Sequence, residues 1–450
     1  MLQNSHISTN LTRLTGKAMD NIRSIQEVQS SRFSAGHGSS HEWRLPHYGG
    51  YTFAGIPGTV MAALGIPCNQ AQLPVDVLPH GLKIYDKVVV ILVDGFGFHS
   101  LVHYTTVDPL PDLVAIREAG VTSMITSQFP STTAAHVTTI HSGLPVEVTG
   151  VYEWFYYESA LGALIAPLPF SFVGDGESET MKRAGIAGDD FLPRSSFYQT
   201  IVDNRLAAVA IQDERFAFSS YNSSLLKAAE TRGVATDRAG FDALSDCLTV
   251  DDRRGYYFLY LGEFDSVGHR HGTLSTEGRA AAEAIFAGIK RSVLDLKGTQ
   301  KGKTLVMITA DHGQVGIDPK HTHYLDRELP WLDARLERTV DGRIKTPAGS
   351  SRDYFLHVKP ELVGDTVERI RAHLQGVADV VTTEDAVRGG LFPDMGDRLR
   401  ANLGNVIIIP YAGESVYWAG ERGQFVKDFV SHHGGLEPIE MESILLSFEL

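Results

Sequence analysis

Apolar residues are bunched along this chain into short runs separated by polar, glycine-containing turns. Lys87–Val93 (KVVVILV), Gly255–Leu261 (GYYFLYL) and Thr304–Thr309 (TLVMIT) are continuous runs, the pattern of strands buried on both faces of a parallel sheet. Shorter runs at Val121–Thr126, 206–211, 354–358, 404–410 and 443–446 read as further strands. Between them the spacing turns helical. Helices are expected at 58–64, 112–119 and 224–231. In 275–296 Ile285, Ile289, Val293 and Leu296 form one stripe, and Val363, Val367, Ile370 and Leu374 mark another helix. This alternation predicts an α/β fold with a mostly parallel central sheet, helices on both faces and cap insertions.

Two parts of the chain depart from the alternation. Residues 1–40 read as a peripheral N-terminal extension: Leu11, Leu14, Ala18, Ile22 and Ile25 have helical spacing, and 30–41 is a Ser, Gly and His-rich linker. Residues 41–450 then form one large domain, with insertions near 146–195 and 318–352 that follow no clean period. The first opens on an aromatic cluster at 152–157, suited either to stacking on a planar ligand group or to simple burial.

Composition narrows the function. The chain has 450 residues, 43% of them hydrophobic, and a formal charge of −14, which argues against duplex nucleic acid as a partner. Cys68 and Cys247 are the only cysteines, too few for a disulfide framework or a thiolate metal cluster. No run approaches the ~18 apolar residues of a membrane span, and the N-terminus lacks signal-peptide character. The expectation is a cytoplasmic protein without a membrane partner. The oligomeric state is left open.

Candidate chemistry collects at the ends of the apolar runs. Asp94 follows the first, Asp311-His312 the fifth, and Asp265 and His269 lie one helical turn apart after the fourth. Carboxylate and imidazole together suit a divalent metal, although an Asp-Gly turn or a helix cap explains any one of them alone. His433, in Ser431-His432-His433-Gly434, can complete such a site, and His271, His321 and His323 are further histidines without an assigned role. The stretch Phe129-Pro130-Ser131-Thr132-Thr133-Ala134-Ala135-His136 places hydroxyls at the start of a helical run. Ser131 or Thr132 would cap that helix and Thr133 would lie in its first turn, where free N–H groups favour an anion. Threonine is a weak nucleophile unless a metal or base activates it.

Taken in order, Asp94, Phe-Pro-x-x-Thr, Asp-x-x-x-His, Asp-His-Gly and the late His-Gly resemble the alkaline phosphatase superfamily, in its type I phosphodiesterase/nucleotide pyrophosphatase branch, over roughly residues 80–450. The resemblance implies an alkaline-phosphatase-like fold and a hydrolase acting on phosphoric ester bonds. It implies one divalent ion on Asp265, His269 and His433, and a second on Asp94, Asp311 and His312 with Thr133 facing it. The metal expected is zinc, with manganese or iron as alternatives. Thr133 rather than Thr132 is the implied nucleophile, because the family's threonine stands ten residues before a Gly-Leu pair, here Gly143-Leu144. The implied reaction cleaves a small phosphodiester or nucleotide pyrophosphate through a phospho-threonine intermediate. Phosphonate or phosphomonoester hydrolysis, or a catalytically silent nucleotide-binding relative, are the alternatives. Animal nucleotide pyrophosphatases carry a phosphate-holding asparagine three residues after the nucleophile. Here that position is His136, which makes it a candidate substrate contact or a packing residue.

Overall fold

The computed structural model describes residues 19–36, 41–192, 197–300, 302–420 and 428–450. Eight strands make the main sheet, in the order Met19–Asp20, Val121–Thr126, Glu442–Glu449, Thr304–Thr309, Lys87–Val93, Gly255–Leu261, Ala207–Asp213 and Glu230–Val234. Glu442–Glu449 runs antiparallel to both its neighbours, and every other pairing is parallel. Lys87–Val93 is buried along its whole length, as its unbroken hydrophobicity requires. Its leading lysine is also buried and donates through Nζ to the Cys247 carbonyl at 2.6 Å, satisfying an acceptor in the last turn of helix Asp237–Thr249.

Register decides where the chemistry meets. Val93 pairs with Leu261, and Leu92 pairs with Thr309, so three parallel strands stop at one level of the sheet. Asp94, Asp265 and Asp311 come after those ends within a few residues. The antiparallel strand enters at the same edge, Glu442 opposite Thr126. That brings the segment before it, with His433, and the segment after Thr126, with Thr133, to the same place.

Helices Pro111–Glu118, Thr276–Ser292 and Val363–His373 lie in the predicted stretches, although the second ends at Ser292, before Val293 and Leu296 of its predicted stripe. Of the N-terminal stripe, Leu11, Leu14 and Ala18 lie outside the described residues. Ile22–Ser30 is a helix capped by Asn21, whose side chain accepts from Ser24 N at 3.0 Å, and it buries Ile25 while Ile22 stays exposed.

Two expectations fail. The stretch 224–231, rich in helix formers, is not a helix: a helix covers Ser220–Leu225, and Glu230–Val234 is an edge strand paired with Ala207–Asp213. Tertiary pairing overrides local propensity there. The runs at 354–358 and 404–410 do not join the main sheet. Asp353–Leu356 and Val406–Pro410 form an antiparallel sheet with Ala348–Ser350 and Ala378–Thr382. This accessory sheet has its own apolar cluster, including Leu356, Ile370, Val380 and Ile408.

Candidate active site

Helix Thr133–Ser142 starts at the carboxyl edge of the main sheet. Thr132 holds the N-cap position, but its hydroxyl donates to the Tyr152 carbonyl at 2.8 Å instead of capping. Ser131 Oγ donates to the Gly435 carbonyl at 2.8 Å. With both neighbours tied to other segments, Thr133 alone turns its hydroxyl to the strand ends. Its Oγ1 lies 3.1 Å from His312 Nε2 and 3.5 Å from Asp94 Oδ1.

Around Thr133 the sequence-predicted ligands converge as two overlapping groups. Asp94, Asp311 and His312 offer ligand atoms within 4.8 Å of one another, and so do Asp265, His312 and His433. His269 joins through the Asp265 carboxylate, with Nε2 3.3 Å from Oδ2, and His433 Nε2 stands 3.7 Å from Oδ1. The single helical turn between Asp265 and His269, in helix Glu263–His271, makes that meeting possible. Gly95 is needed beside it. Its φ is +73°, and a Cβ there would stand 3.1 Å from the Asp265 side chain.

Orientation of the imidazoles is fixed from behind. His269 Nδ1 faces the Ser431 carbonyl at 2.9 Å, His433 Nδ1 the Ser131 carbonyl at 2.9 Å, and His312 Nδ1 the Gly313 carbonyl at 3.1 Å. A carbonyl only accepts, so each Nδ1 carries the proton and each Nε2 directs a lone pair into the space it shares with the carboxylates, where a cation would sit. The carboxylates are held similarly. Asp311 Oδ1 accepts from Gly95 N at 3.1 Å and His312 N at 3.0 Å. The Tyr260 hydroxyl donates to Asp94 Oδ2, and Gln314 Nε2 donates to Asp265 Oδ1 at 2.5 Å.

These groups fit divalent cations. Asp311 Oδ2 is buried without a hydrogen-bond partner, a costly state for a carboxylate oxygen unless a cation faces it. Among the described residues no lysine or arginine pairs with Asp94, Asp265 or Asp311; the groups that face them are the site histidines. Burial, and then the charges of Asp311 and Asp265, push Asp94 well above the usual carboxylate range. Burial and the neighbouring His312 push His433 well below the imidazole range, which keeps it neutral and able to ligate. Converging carboxylates and aligned imidazole lone pairs are the donor set of a metal centre.

Two clefts flank Thr133, of about 270 Å³ and 290 Å³. Gln212, Tyr221, Asn222, Leu259 and Glu263 help line the first. Phe155, Tyr324, Tyr417 and Phe429 line the second. Trp154, from the predicted aromatic cluster, borders both.

A profile of the type I phosphodiesterase/nucleotide pyrophosphatase family matches residues 88–434, the span that carries every one of these motifs. The chain belongs to the type I phosphodiesterase/nucleotide pyrophosphatase family. It is thereby a phosphoester hydrolase of a metal-dependent family. No curated protein matches it by sequence. Murine ectonucleotide pyrophosphatase/phosphodiesterase 5 is similar in structure at 17% identity and a TM-score of 0.59, covering 80% of this chain and 88% of its own. An inactive threonine-to-alanine variant of that murine protein in complex with AMP gives 16% identity and a TM-score of 0.57, covering 80% and 87%. Phosphonoacetate hydrolase from Sinorhizobium meliloti, in complex with phosphonoacetate, gives 18% and 0.57, covering 80% and 89%. The fold is thus alkaline-phosphatase-like.

His136 takes the packing role of the two that the sequence left open. Its ring is buried and both nitrogens are engaged by backbone. Nε2 accepts from Gln128 N at 2.9 Å, and Nδ1 donates to the Thr132 carbonyl at 2.7 Å. It secures the loop that presents Thr133 and does not line either cleft. His271 and His321 are exposed. Tyr260 and Gln314 gave no sequence signal. One is an ordinary strand tyrosine and the other comes after a glycine, and only the folded register aims them at the carboxylates.

Proposed function

We propose that this family member is a two-metal phosphodiesterase or nucleotide pyrophosphatase with Thr133 as nucleophile. The observation that carries the reading is the position of Thr133 Oγ1, 3.1 Å from His312 Nε2 and 3.5 Å from Asp94 Oδ1, where the two ligand groups and the two clefts meet. Asp94, Asp311 and His312 would hold one divalent ion, and Asp265, His269 and His433 a second. Zinc suits this nitrogen and oxygen donor set, with manganese and iron as alternatives. When bound, such ions supply positive charge at the phosphoryl oxygens and lower the pKa of a nearby hydroxyl or water.

Thr133 Oγ1 attacks phosphorus in line, and the new P–O bond forms as the bond to the leaving oxygen breaks. The leaving group departs with the electron pair and takes up a proton. Water then opens the phospho-threonine ester and regenerates the hydroxyl. The free N–H groups at the start of helix Thr133–Ser142 favour the phosphoryl oxygens throughout.

The cleft linings favour a diester. A phosphomonoester or phosphonoacetate brings extra negative charge that calls for a cation. Arg215 is the one lysine or arginine among the described residues lining the two clefts, and it is paired with Asp213. Lys182 and Arg183 are exposed and line neither cleft. Arg352 is fully buried against Glu440 at 3.0 Å. Room on both sides of Thr133 suits a phosphorus atom with two organic substituents.

The test compares a nucleotide aryl diester, an aryl monoester and a phosphonate, each with added zinc or manganese, in wild type and Thr133→Ala. Preferential diester turnover that the variant loses is the expected result. A preference for the phosphonate or monoester would reassign the substrate, and turnover surviving in Thr133→Ala would remove the nucleophile.

A further inference from the structure

Outside this site, one other group of ligand-type side chains converges among the described residues. His323 lies near the end of strand Val315–Tyr324, Glu328 closes helix Leu325–Glu328, and His373 ends helix Val363–His373. All three meet at one atom. Glu328 Oε2 accepts from His323 Nδ1 at 3.1 Å and from His373 Nε2 at 2.8 Å. One ligand atom from each lies within 4.8 Å of the other two.

We propose that His323, Glu328 and His373 form a further divalent transition-metal site, separate from the Thr133 centre. The donor set is two imidazoles and one carboxylate, which selects zinc, nickel or copper over magnesium or calcium. An ordinary surface ion pair needs one histidine. Here two imidazoles aim N–H groups at a single oxygen, and one dication in that position would replace both protons and take all three ligands. The convergence is not a by-product of helical spacing, since His373 comes from a helix far along the chain and packed in the accessory-sheet layer. The side chains are 31%, 31% and 34% exposed, so an ion can enter and keep open positions for water.

The placement gives the site a role. Thr322 and Tyr324, on either side of His323, line the second cleft. Helix Val363–His373 packs through Val367 and Ile370 into the apolar cluster under the accessory sheet. A metal held by the triad would clip the wall of the second cleft to that sheet. It would stabilise the fold and take no part in the chemistry at Thr133.

The test strips the full-length protein with a chelator, dialyses it against zinc and counts metal per chain by elemental mass spectrometry. Wild type is compared with His373→Ala and Glu328→Gln, with far-UV circular dichroism as the control for folding. Each variant is expected to hold one equivalent less zinc than wild type while keeping its basal turnover. A second measurement removes the ligands at Thr133 with Asp94→Asn and Asp311→Asn and records Tm with and without zinc. Zinc is expected to raise Tm in that background and to lose the effect when His373→Ala is added. Equal zinc content in wild type and both variants, or a zinc-induced Tm rise indifferent to His373, would overturn the proposal.

Discussion

The main sheet and the accessory sheet are built from equally apolar strands, yet only the carboxyl edge of the main sheet gathers three aspartates and three histidines in one place. In the accessory region Arg352 and Asp379 have specific partners, while Asp353, beside Glu153 at the second cleft, keeps Oδ2 without a hydrogen-bond partner. Arg352 makes a bidentate bond to Glu440, both side chains fully buried, and Asp379 accepts from Trp43 Nε1 at 2.8 Å and Tyr411 Oη at 2.9 Å. At the carboxyl edge of the main sheet, Asp94, Asp265 and Asp311 crowd together and Asp311 Oδ2 has no hydrogen-bond partner. Topology accounts for the contrast. Parallel strands end at one edge, so the residues just past their ends accumulate there, whereas antiparallel strands alternate their ends and disperse those residues to both edges. Like charges left together in a buried place mark a site that binds something, and complementary charges mark structure.

Substitutions on the two sides should therefore fail differently. Asp311→Asn is expected to lower turnover by ~10³-fold or more and to reduce bound metal, with far-UV circular dichroism unchanged. Arg352→Met leaves Glu440 buried without its partner and should cost about 3–5 kcal/mol of stability. Chemical denaturation measures that loss, and turnover per folded molecule should stay near wild type. Tyr260→Phe removes the hydroxyl behind Asp94, and a ~10–100-fold loss of metal affinity is expected, read by competition with a chromogenic chelator. If Asp311→Asn unfolds the chain, or Arg352→Met abolishes turnover without lowering stability, the division between the two sheets is wrong.

A smaller effect lies where the regions touch. Glu153, in the wall of the second cleft, is pushed up to about 8 by burial, and burial and Glu153 raise Asp353 beside it. The folded chain then holds a proton that the unfolded chain, with an ordinary value of 4.5, releases earlier. Between those values the folded state binds more protons, so stability falls as pH rises from about 4.5 to about 8 and levels off above. Glu153→Gln should flatten that fall, as Tm against pH would record. An unchanged slope would contradict the assignment.

The carboxyl edge was legible in the sequence because three of the apolar runs are followed within four residues by an aspartate, and a parallel sheet brings such ends together. Asp94, Asp265, His269, Asp311 and His312 follow from that rule, whereas His433 and the division into two ligand sets rested on the resemblance to the family. The accessory sheet was not legible. Asp353–Leu356 and Val406–Pro410 have the same apolar character as the central strands, and nothing in a run of isoleucines names its partner. Residue type likewise could not say whether the His136 nitrogens face a ligand or backbone. Gln128 N and the Thr132 carbonyl decided that. The edge strand Glu230–Val234 was hidden by the helix formers before it.

The step that defines the proposed mechanism is covalent phosphorylation of Thr133 during turnover. Acid quench of the metal-loaded enzyme with a phosphorus-labelled diester, followed by peptide mass spectrometry, tests it directly. The predicted result is label on Thr133 that appears within one turnover and is absent from Thr133→Ala. Steady turnover by wild type with no label on Thr133, alongside undiminished turnover by Thr133→Ala, would contradict it.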